Sequence, residues 1–263
     1  MSLIILEPVG GLCNRMRAIA SALALAKSLD RRLWLLWRRD ATLNCVFEEL
    51  FEKPPGIERI VTLNSRLAIR ACDVVTSIVC DGRWDEHDVA AWINDGTGPV
   101  ALQTTRRAFL RSSSLFYQPY DFSVFRPVNA IREVISRYRE PLKDAIGLHI
   151  RRADNDRSRY NSPTELFVTA MNDEILVDPS VRFFLATDSD EEETILSKSF
   201  GNRLLTHPKQ SLRRDDPAAI RDAVVDLYCL AACRKIYGSF WSSFSETAQK
   251  LGAADLHVLT RGQ

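Results

Sequence analysis

The segment Ala145-Ile-Gly-Leu-His-Ile-Arg-Arg-Ala-Asp154 runs an apolar stretch straight into His149, Arg151, Arg152 and Asp154. Its first half reads as a strand buried on both faces, as strands of parallel sheets are. Its second half puts two guanidiniums where that strand ends. Open α/β sheets bind their ligands just outside the carboxyl ends of strands. Two adjacent forked cations there suit a diphosphate or another multiply charged anion. In an alternating strand His149 and Arg151 share one face and Arg152 takes the other. A salt-bridged strand end, with Asp154 or Asp156 as partner, is therefore the competing reading.

Other strand ends carry comparable groups. Gly10-Gly-Leu-Cys-Asn14-Arg15 follows a short strand and opens a long helix. Glycines at Gly10 and Gly11 let backbone approach a ligand, and Asn14 is expected to cap the helix. The pattern is not a full GxGxxG, so it does not point to a nicotinamide cofactor. Thr187-Asp188-Ser189-Asp190 contains a DxD, which could hold a divalent metal; Ser189 and Glu192 equally form a capping box. The run Ser239-Phe-Trp-Ser-Ser-Phe-Ser245 places Ser242, Ser243 and Ser245 at a helix start, where hydroxyls and unpaired N–H groups make an anion site. There Ser243 and Glu246 are expected to form a second capping box. Asp226 interrupts an apolar helix. It is either a solvated acid or a carboxylate turned inward, where it could accept two hydrogen bonds from a base with adjacent donors, such as guanine. The four histidines assemble no Ser/His/Asp triad, and no His/Cys spacing matches a metal site.

Strand and helix alternate throughout. In the first half, strands are expected at Leu3–Leu6, Leu33–Trp37, Arg59–Leu63, Val74–Val79 and Val100–Gln103, with helices near 14–29, 46–51 and 85–94. A loop follows at Arg111–Arg126. In the second half the strands at Ala145–Ile150, Val181–Ala186, Arg203–Leu205, Lys235–Gly238 and Leu256–Leu259 are separated by helices and short loops, which argues for a doubly wound sheet. The fold class is α/β: two Rossmann-like halves, split near residues 130–142, with a cleft between them as the favoured ligand site. The 263 residues are enough for two such domains. A 46% hydrophobic content supports a sizeable core, and a net charge of +1 gives no basic excess for nucleic acid or a membrane surface. The apolar run at Leu3–Leu6 is too short for a signal-peptide core, and no segment reaches the ~20 apolar residues of a membrane span. Six cysteines without a CxxC pair fit a reduced, cytoplasmic protein, with Cys229 and Cys233 as ordinary buried thiols.

Taken in order, Gly10-Gly-Leu-Cys-Asn-Arg15, His149-Ile-Arg-Arg-Ala-Asp154, Leu185-Ala-Thr-Asp188, Asp226-Leu-Tyr and Ser242-Ser-Phe-Ser245 resemble the fucosyltransferase superfamily, which includes α1,6-, α1,2-, nodulation and protein O-fucosyltransferases. The resemblance implies a GT-B-like fold, residues 1–135 forming an acceptor-side domain and 136–263 the nucleotide-sugar domain. It implies GDP-fucose as donor, a glycan or other hydroxyl acceptor, and inverting transfer with no metal or cofactor. Arg151 would hold the β-phosphate and stabilise the leaving GDP, with Arg152 secondary. His149 and Asp226 would read guanine, and Ser242, Ser243, Phe244 and Ser245 would bind the diphosphate and nucleoside. Asp188 would shape the donor pocket, and Gly11, Asn14 and Arg15 would contribute from the N-terminal half. Some members carry a catalytic Glu a few residues after the HxRRxD element. Here that region reads Asn155-Asp-Arg-Ser-Arg-Tyr160, so Asp154 and Asp156 are the available carboxylates. A transferase for another nucleotide sugar, and a non-catalytic nucleotide- or glycan-binding protein, compete with this reading.

Overall fold

The structure, a computed structural model, describes residues 2–95, 98–153, 155–252 and 254–262. The chain divides into two compact units, Met1–Val128 with Arg214–Ile220, and Asn129–Arg213 with Arg221–Gln263. Among the described residues no helix is long and apolar enough to cross a membrane.

The first unit contains β1 (Leu3–Pro8), α1 (Leu12–Ser28), β2 (Arg32–Arg38), a 3-10 turn at Phe47–Glu49, β3 (Ile57–Leu63), α2 (Arg66–Val79), β4 (Gly82–Trp84), α3 (Glu86–Asp95), α4 (Gly98–Gln103) and β5 (Arg107–Ser112). Its sheet has the order β3-β2-β1-β5-β4, and every pairing is parallel. Every residue of the central β1 is buried, as a strand covered on both faces must be.

The second unit contains α5 (Asn129–Ser136), α6 (Arg139–Leu142), β6 (Ile146–Ile150), α7 (Asp156–Asn161), α8 (Thr164–Val177), β7 (Phe183–Thr187), α9 (Asp190–Phe200), a 3-10 turn at Gly201–Arg203, β8 (Leu204–Thr206), α10 (Pro217–Ala231), β9 (Lys235–Ser239), α11 (Ser243–Leu251) and β10 (Asp255–Leu259). The first residues of α10 group with the first unit. The sheet order is β10-β9-β6-β7-β8, again wholly parallel. Both units are thus Rossmann-type, and the chain has the GT-B-like organisation expected from its sequence.

The central strand β6 sets the position of the candidate site. Ile146, Leu148 and Ile150 share one face and pack in a buried cluster with Phe167 and Met171 of α8 and Leu196 of α9. The opposite face begins with Gly147, where α10 comes so close that an added Cβ would lie 2.8 Å from Leu230 Cδ2. Likewise α11 approaches β9 at Gly238, where a Cβ would lie 2.7 Å from Ser245 Oγ. By the two-residue period, His149 and Arg151 follow Gly147 on this second face.

Two expected strands are helices. Val74–Val79, rich in β-branched residues, is the last part of α2, whose N-cap Ser65 accepts a hydrogen bond from the Ala68 N–H. Ala68, Ile69, Cys72 and Val79 pack against the sheet, while Val74, Val75 and Ile78 are exposed. Tertiary packing of the helical face overrides the local strand preference of the last turn. Val100–Gln103 is the end of α4. The strand expected there is β5, seven residues further on, where it pairs with β1 from Leu3↔Arg107 to Pro8↔Ser112. The short β4 and α7 have too little periodicity to be read from sequence.

Gly147→Ala must push α10 off β6 or force Leu230 from its rotamer. We expect a loss of about 1–3 kcal/mol, read as a lower urea midpoint with an unchanged m-value.

Candidate active site at the carboxyl edge of the second sheet

At the end of β6 the backbone is held on both sides. The Arg151 N–H donates to Ser239 Oγ (3.0 Å), and that hydroxyl donates to the His149 carbonyl (3.1 Å). This continues the β6–β9 ladder one residue past its last pair, His149↔Gly238. On the other side Thr187 Oγ1 donates to the Ile150 carbonyl (2.9 Å), and the Arg152 N–H donates to Asp188 Oδ1 (2.7 Å). The other Asp188 oxygen receives the Arg151 guanidinium in an ion pair. Asp188 therefore fixes both the backbone and the cation.

The two arginines part company here, as strand alternation requires. Arg152 Nε donates to Glu192 Oε1 (2.5 Å), its other nitrogens reach the Arg151 carbonyl (3.0 Å) and Thr164 Oγ1 (3.2 Å), and Thr164 in turn donates to Glu192 (2.7 Å). This nearly buried pair joins β6, α8 and α9. Arg151 stays at the edge, its side chain 17% exposed. The Ser189 cap on α9 forms as expected, accepting from the Glu192 N–H (3.3 Å), but the Glu192 side chain turns to Arg152 instead of closing the box. Asp190 is exposed. Asp188 and Asp190 are thus differently engaged. Among the described residues no group of three His, Cys, Asp or Glu side chains could hold a metal ion.

His149 is buried and stacks on Phe244 of α11, ring centroids 4.8 Å apart and 22° between planes. Burial, and then the nearby Arg151 and Arg152 charges, push its pKa down to about 3, so the imidazole is neutral at neutral pH. Its Nδ1 is buried without a hydrogen-bond partner. Asp226 of α10 is also buried, and burial raises its pKa to about 7 against the pull of Lys209 and His207. Lys209 Nζ lies 3.4 Å from Oδ2, while Oδ1 is buried without a partner. Register puts the two residues at one level. Leu230 meets Gly147; one helical turn back along α10 is Asp226, and two residues on along β6 is His149. Both steps cover about 5–7 Å, and α10 runs antiparallel to β6 because it leads into the parallel strand β9.

Ser242 is the N-cap of α11, one residue earlier than expected, and its side chain makes no cap hydrogen bond; the Ser243–Glu246 box is not formed at Ser243. Ser245 is fully buried, and its hydroxyl donates to the Ser242 carbonyl (3.3 Å), so it serves the packing against Gly238. Ser243 and Phe244 are half-buried. Asp156 begins α7, 87% exposed at its side chain and ion-paired with Arg159. Asp154 lies outside the described residues.

In the first unit Gly11, not Asn14, is the N-cap of α1; Asn14 lies in the first turn, half-buried. Gly10 has φ +80°, which suits glycine, and Gly11 has open space where a Cβ would point. Arg15 is fully buried. It donates to the Gly10 carbonyl (2.8 Å) and the Arg38 carbonyl, pairs with Asp40 (3.0 Å) and lies over the Trp37 ring at 4.8 Å. Its guanidinium holds the glycine turn from inside the unit.

Sequence reasoning missed Glu192 and Thr164 as the partners of Arg152, Ser239 as the stitch at Arg151, and Lys209 as the partner of Asp226. The one local signal was the spacing of Asp222 and Asp226, four apart on α10. Asp222 anchors the loop that bears Lys209, accepting from the Gln210 N–H (2.8 Å) and pairing with His207 (3.2 Å).

Arg152→Ala leaves Glu192 buried and uncompensated. We expect a loss of about 3–5 kcal/mol, with part of it recovered when Glu192→Gln is added, both read from urea unfolding. The raised Asp226 pKa also has a sign. The folded state keeps this proton up to about pH 7, whereas the unfolded chain loses it near 3.8. Stability therefore falls between those values as pH rises, and Asp226→Asn should remove that part of the slope.

No protein-family model matches the chain, and no curated protein matches it. Solved structures do. Fucosyltransferase NodZ from Bradyrhizobium superposes with a TM-score of 0.67 at 18% identity, over 95% of this chain and 92% of that one. Arabidopsis thaliana FUT1, solved in complex with GDP, gives 0.65 at 15% identity, over 97% and 69%. POFUT1 in complex with GDP-fucose gives 0.56 at 12% identity, over 98% of both chains. The chain has the fold of these fucosyltransferases.

Proposed function

We propose that the protein is an inverting, metal-independent glycosyltransferase that moves fucose from GDP-fucose to a hydroxyl of a glycan or another acceptor. One observation carries this reading. Asp226 Oδ1 and His149 Nδ1 are both buried without partners, at one level of the sheet face that ends in Arg151. An unmet buried polar atom costs about 1–3 kcal/mol, and a bound ligand that supplies the partner removes that cost. Guanine offers two adjacent N–H donors to a carboxylate and acceptors to a neutral imidazole. The solved structures described above, with GDP and with GDP-fucose, support the same donor.

In this reading the nucleotide sugar belongs to the C-terminal domain, residues 136–263, and the acceptor to the N-terminal one, residues 1–135. The acceptor oxygen attacks the anomeric carbon as the bond from that carbon to the β-phosphate oxygen breaks, and the electron pair leaves with GDP. Arg151 faces the charge that grows on the departing diphosphate, and a fixed cation there stabilises the transition state above the ground state. Asp188 aims it. Ser242 and Ser243, with the N–H groups of the α11 N-terminus, add donors, and Phe244 walls the base. The acceptor proton goes to a carboxylate, for which Asp156 and Asp154 are the candidates. The separate engagement of Asp188 supports diphosphate stabilisation by these groups without a metal. Gly11 and Asn14 act through the glycine turn, with Arg15 and Arg152 as positioning residues. A reducing, cytoplasmic compartment suits six cysteines that are all free thiols.

Arg151→Ala should lose transfer by about a hundredfold or more while the protein stays folded by circular dichroism; activity within a few-fold of wild type would refute the leaving-group role. Gly11→Ala has open space for its methyl, so the fold should be unchanged and weaker GDP-fucose binding would report backbone contact with donor. The guanine assignment predicts that guanosine affinity falls about tenfold from pH 8 to pH 6 as Asp226 protonates, and that Asp226→Asn flattens the profile. Tight UDP binding without GDP binding would favour another nucleotide sugar. GDP binding with neither GDP-fucose hydrolysis nor transfer to a glycan array would favour a binding protein.

A further inference from the structure

The outer face of α2 is apolar and uncovered. Leu67, Val74 and Ile78 are 79%, 58% and 76% exposed, and Ala71 and Val75 beside them are exposed as well. Scattered apolar residues at a surface are ordinary, but several along one helix face form a patch that another surface is expected to cover. The spacing narrows what that surface is. Leu67, Ala71, Val74 and Ile78 follow one another at intervals of four, three and four, the period of a seam between two packed helices. The sheet beneath α2 does not use this seam. Ala68, Ile69, Cys72 and Val79, on the other side of the helix, pack in the cluster with residues of β1, β2, β3 and β5.

Charge divides along the same helix. Its N-terminal half carries Arg66 and Arg70, both exposed and without an acidic partner among the described residues. Asp73 begins its C-terminal half, with its side chain 51% exposed. It lies 3.6 Å from the Arg38 guanidinium, which Glu7 holds more closely at 2.9 Å, so its carboxylate is open to a second cation. The first turn has no acidic residue and the last no basic one, so this polarity gains nothing from the helix dipole. Turned end for end against an identical helix, it becomes complementary. Leu67 then faces the partner's Ile78, and Ala71 faces the partner's Val74, which is the pairing of an antiparallel seam. Arg70 and Asp73, three apart, lie on one flank of that seam. In this register Arg70 stands about 3 Å along the axis from the level of the partner's Asp73, and symmetry makes the crossing twice.

We propose that α2 is the contact of a two-fold symmetric dimer, in which it packs antiparallel against α2 of a second copy of this chain. A two-fold contact uses the same patch on both subunits, so the patch must complement itself. The apolar seam and the Arg70–Asp73 crossing meet that condition together. The inference is independent of the transfer reading, because all its residues belong to the first compact unit and none to the site on the second sheet. One helix of 14 residues offers a small interface. The dimer is accordingly weak, with a dissociation constant on the order of 10 μM.

The test is sedimentation velocity of the full chain at low salt, from about 1 to 200 μM, beside Val74→Lys, Arg70→Asp and Asp73→Arg. These are exposed positions, so each variant should melt within about 3 °C of wild type. Wild type should pass from monomer to dimer and stop there. Val74→Lys should weaken the association about tenfold or more. Arg70→Asp and Asp73→Arg should each weaken it alone, since each sets like charges opposite one another. An equimolar mixture of the two should recover the dimer, because both crossings then join opposite charges. Val74→Lys leaves the Asp73–Arg38 contact alone and decides the surface even if the Asp73 variant melts low. Wild type that stays monomeric at the highest concentration overturns the proposal and leaves α2 to a different protein. A dimer that survives Val74→Lys overturns it by placing the contact elsewhere, and growth beyond the dimer overturns it by making the patch unspecific. Charge variants that dimerise like wild type, or that fail to recover when mixed, overturn the antiparallel pairing.

Discussion

Asp188 accepts the Arg152 N–H with one oxygen and the Arg151 guanidinium with the other, just past the end of β7. A parallel sheet leaves its carboxyl edge with strand ends that must turn away, and charges placed there tend to seek water. This carboxylate, with the Ser239 stitch on the other flank, keeps Arg151 at the edge in one orientation. The Arg152–Glu192–Thr164 cluster then locks the same turn to two helices. Such a network has value for position more than for stability. A nearly buried ion pair is at best a small net gain over a hydrophobic replacement, yet removing one partner is costly.

The neighbouring face shows the converse arrangement. His149 is kept neutral by burial and by two cations, and Asp226 is kept near the balance of its two forms by burial opposed by Lys209. Each retains one buried polar atom with nothing to bond. The two sides of β6 therefore do different work. The Arg152 side meets its charge with Glu192 and Thr164, while the other side carries, beside the Arg151–Asp188 pair, two buried atoms without a hydrogen-bond partner. The first unit repeats the rigid half of this scheme, since buried Arg15 holds the Gly10–Gly11 turn from beneath and leaves backbone and Asn14 at the strand end.

The alternation of strands and helices was legible because burial on both faces makes β1, β6 and β7 near-continuous apolar runs, and because caps such as Ser189 announce the next helix. It failed where local preference and packing disagree. Val74, Val75 and Ile78 favour strand, but they lie on the solvent side of a helix whose other face packs, half-buried, against the sheet. Periodicity also cannot tell a helix as short as α4 from a strand, so β5 was missed although its Ala-Phe-Leu core is apolar.

The sequence by itself determined the fold class, the strand ends and the residue types that stand at them, since these follow from hydrophobic period and from chain order. It also determined that His149 and Arg151 share a face opposite Arg152, because a strand alternates by two. Only the tertiary structure decided which charges are buried in pairs and which buried atoms of the site lack a hydrogen-bond partner. Asp188, Glu192, Asp40 and Lys209 reach their partners across 25 to 40 residues of chain, or from a loop onto a helix 17 residues away, and no local pattern encodes those meetings. Arg15 and Arg151 look alike as letters beside a strand end. Packing buries one beneath a turn and leaves the other at the edge, because burial is a property of the assembled layers and not of the residue.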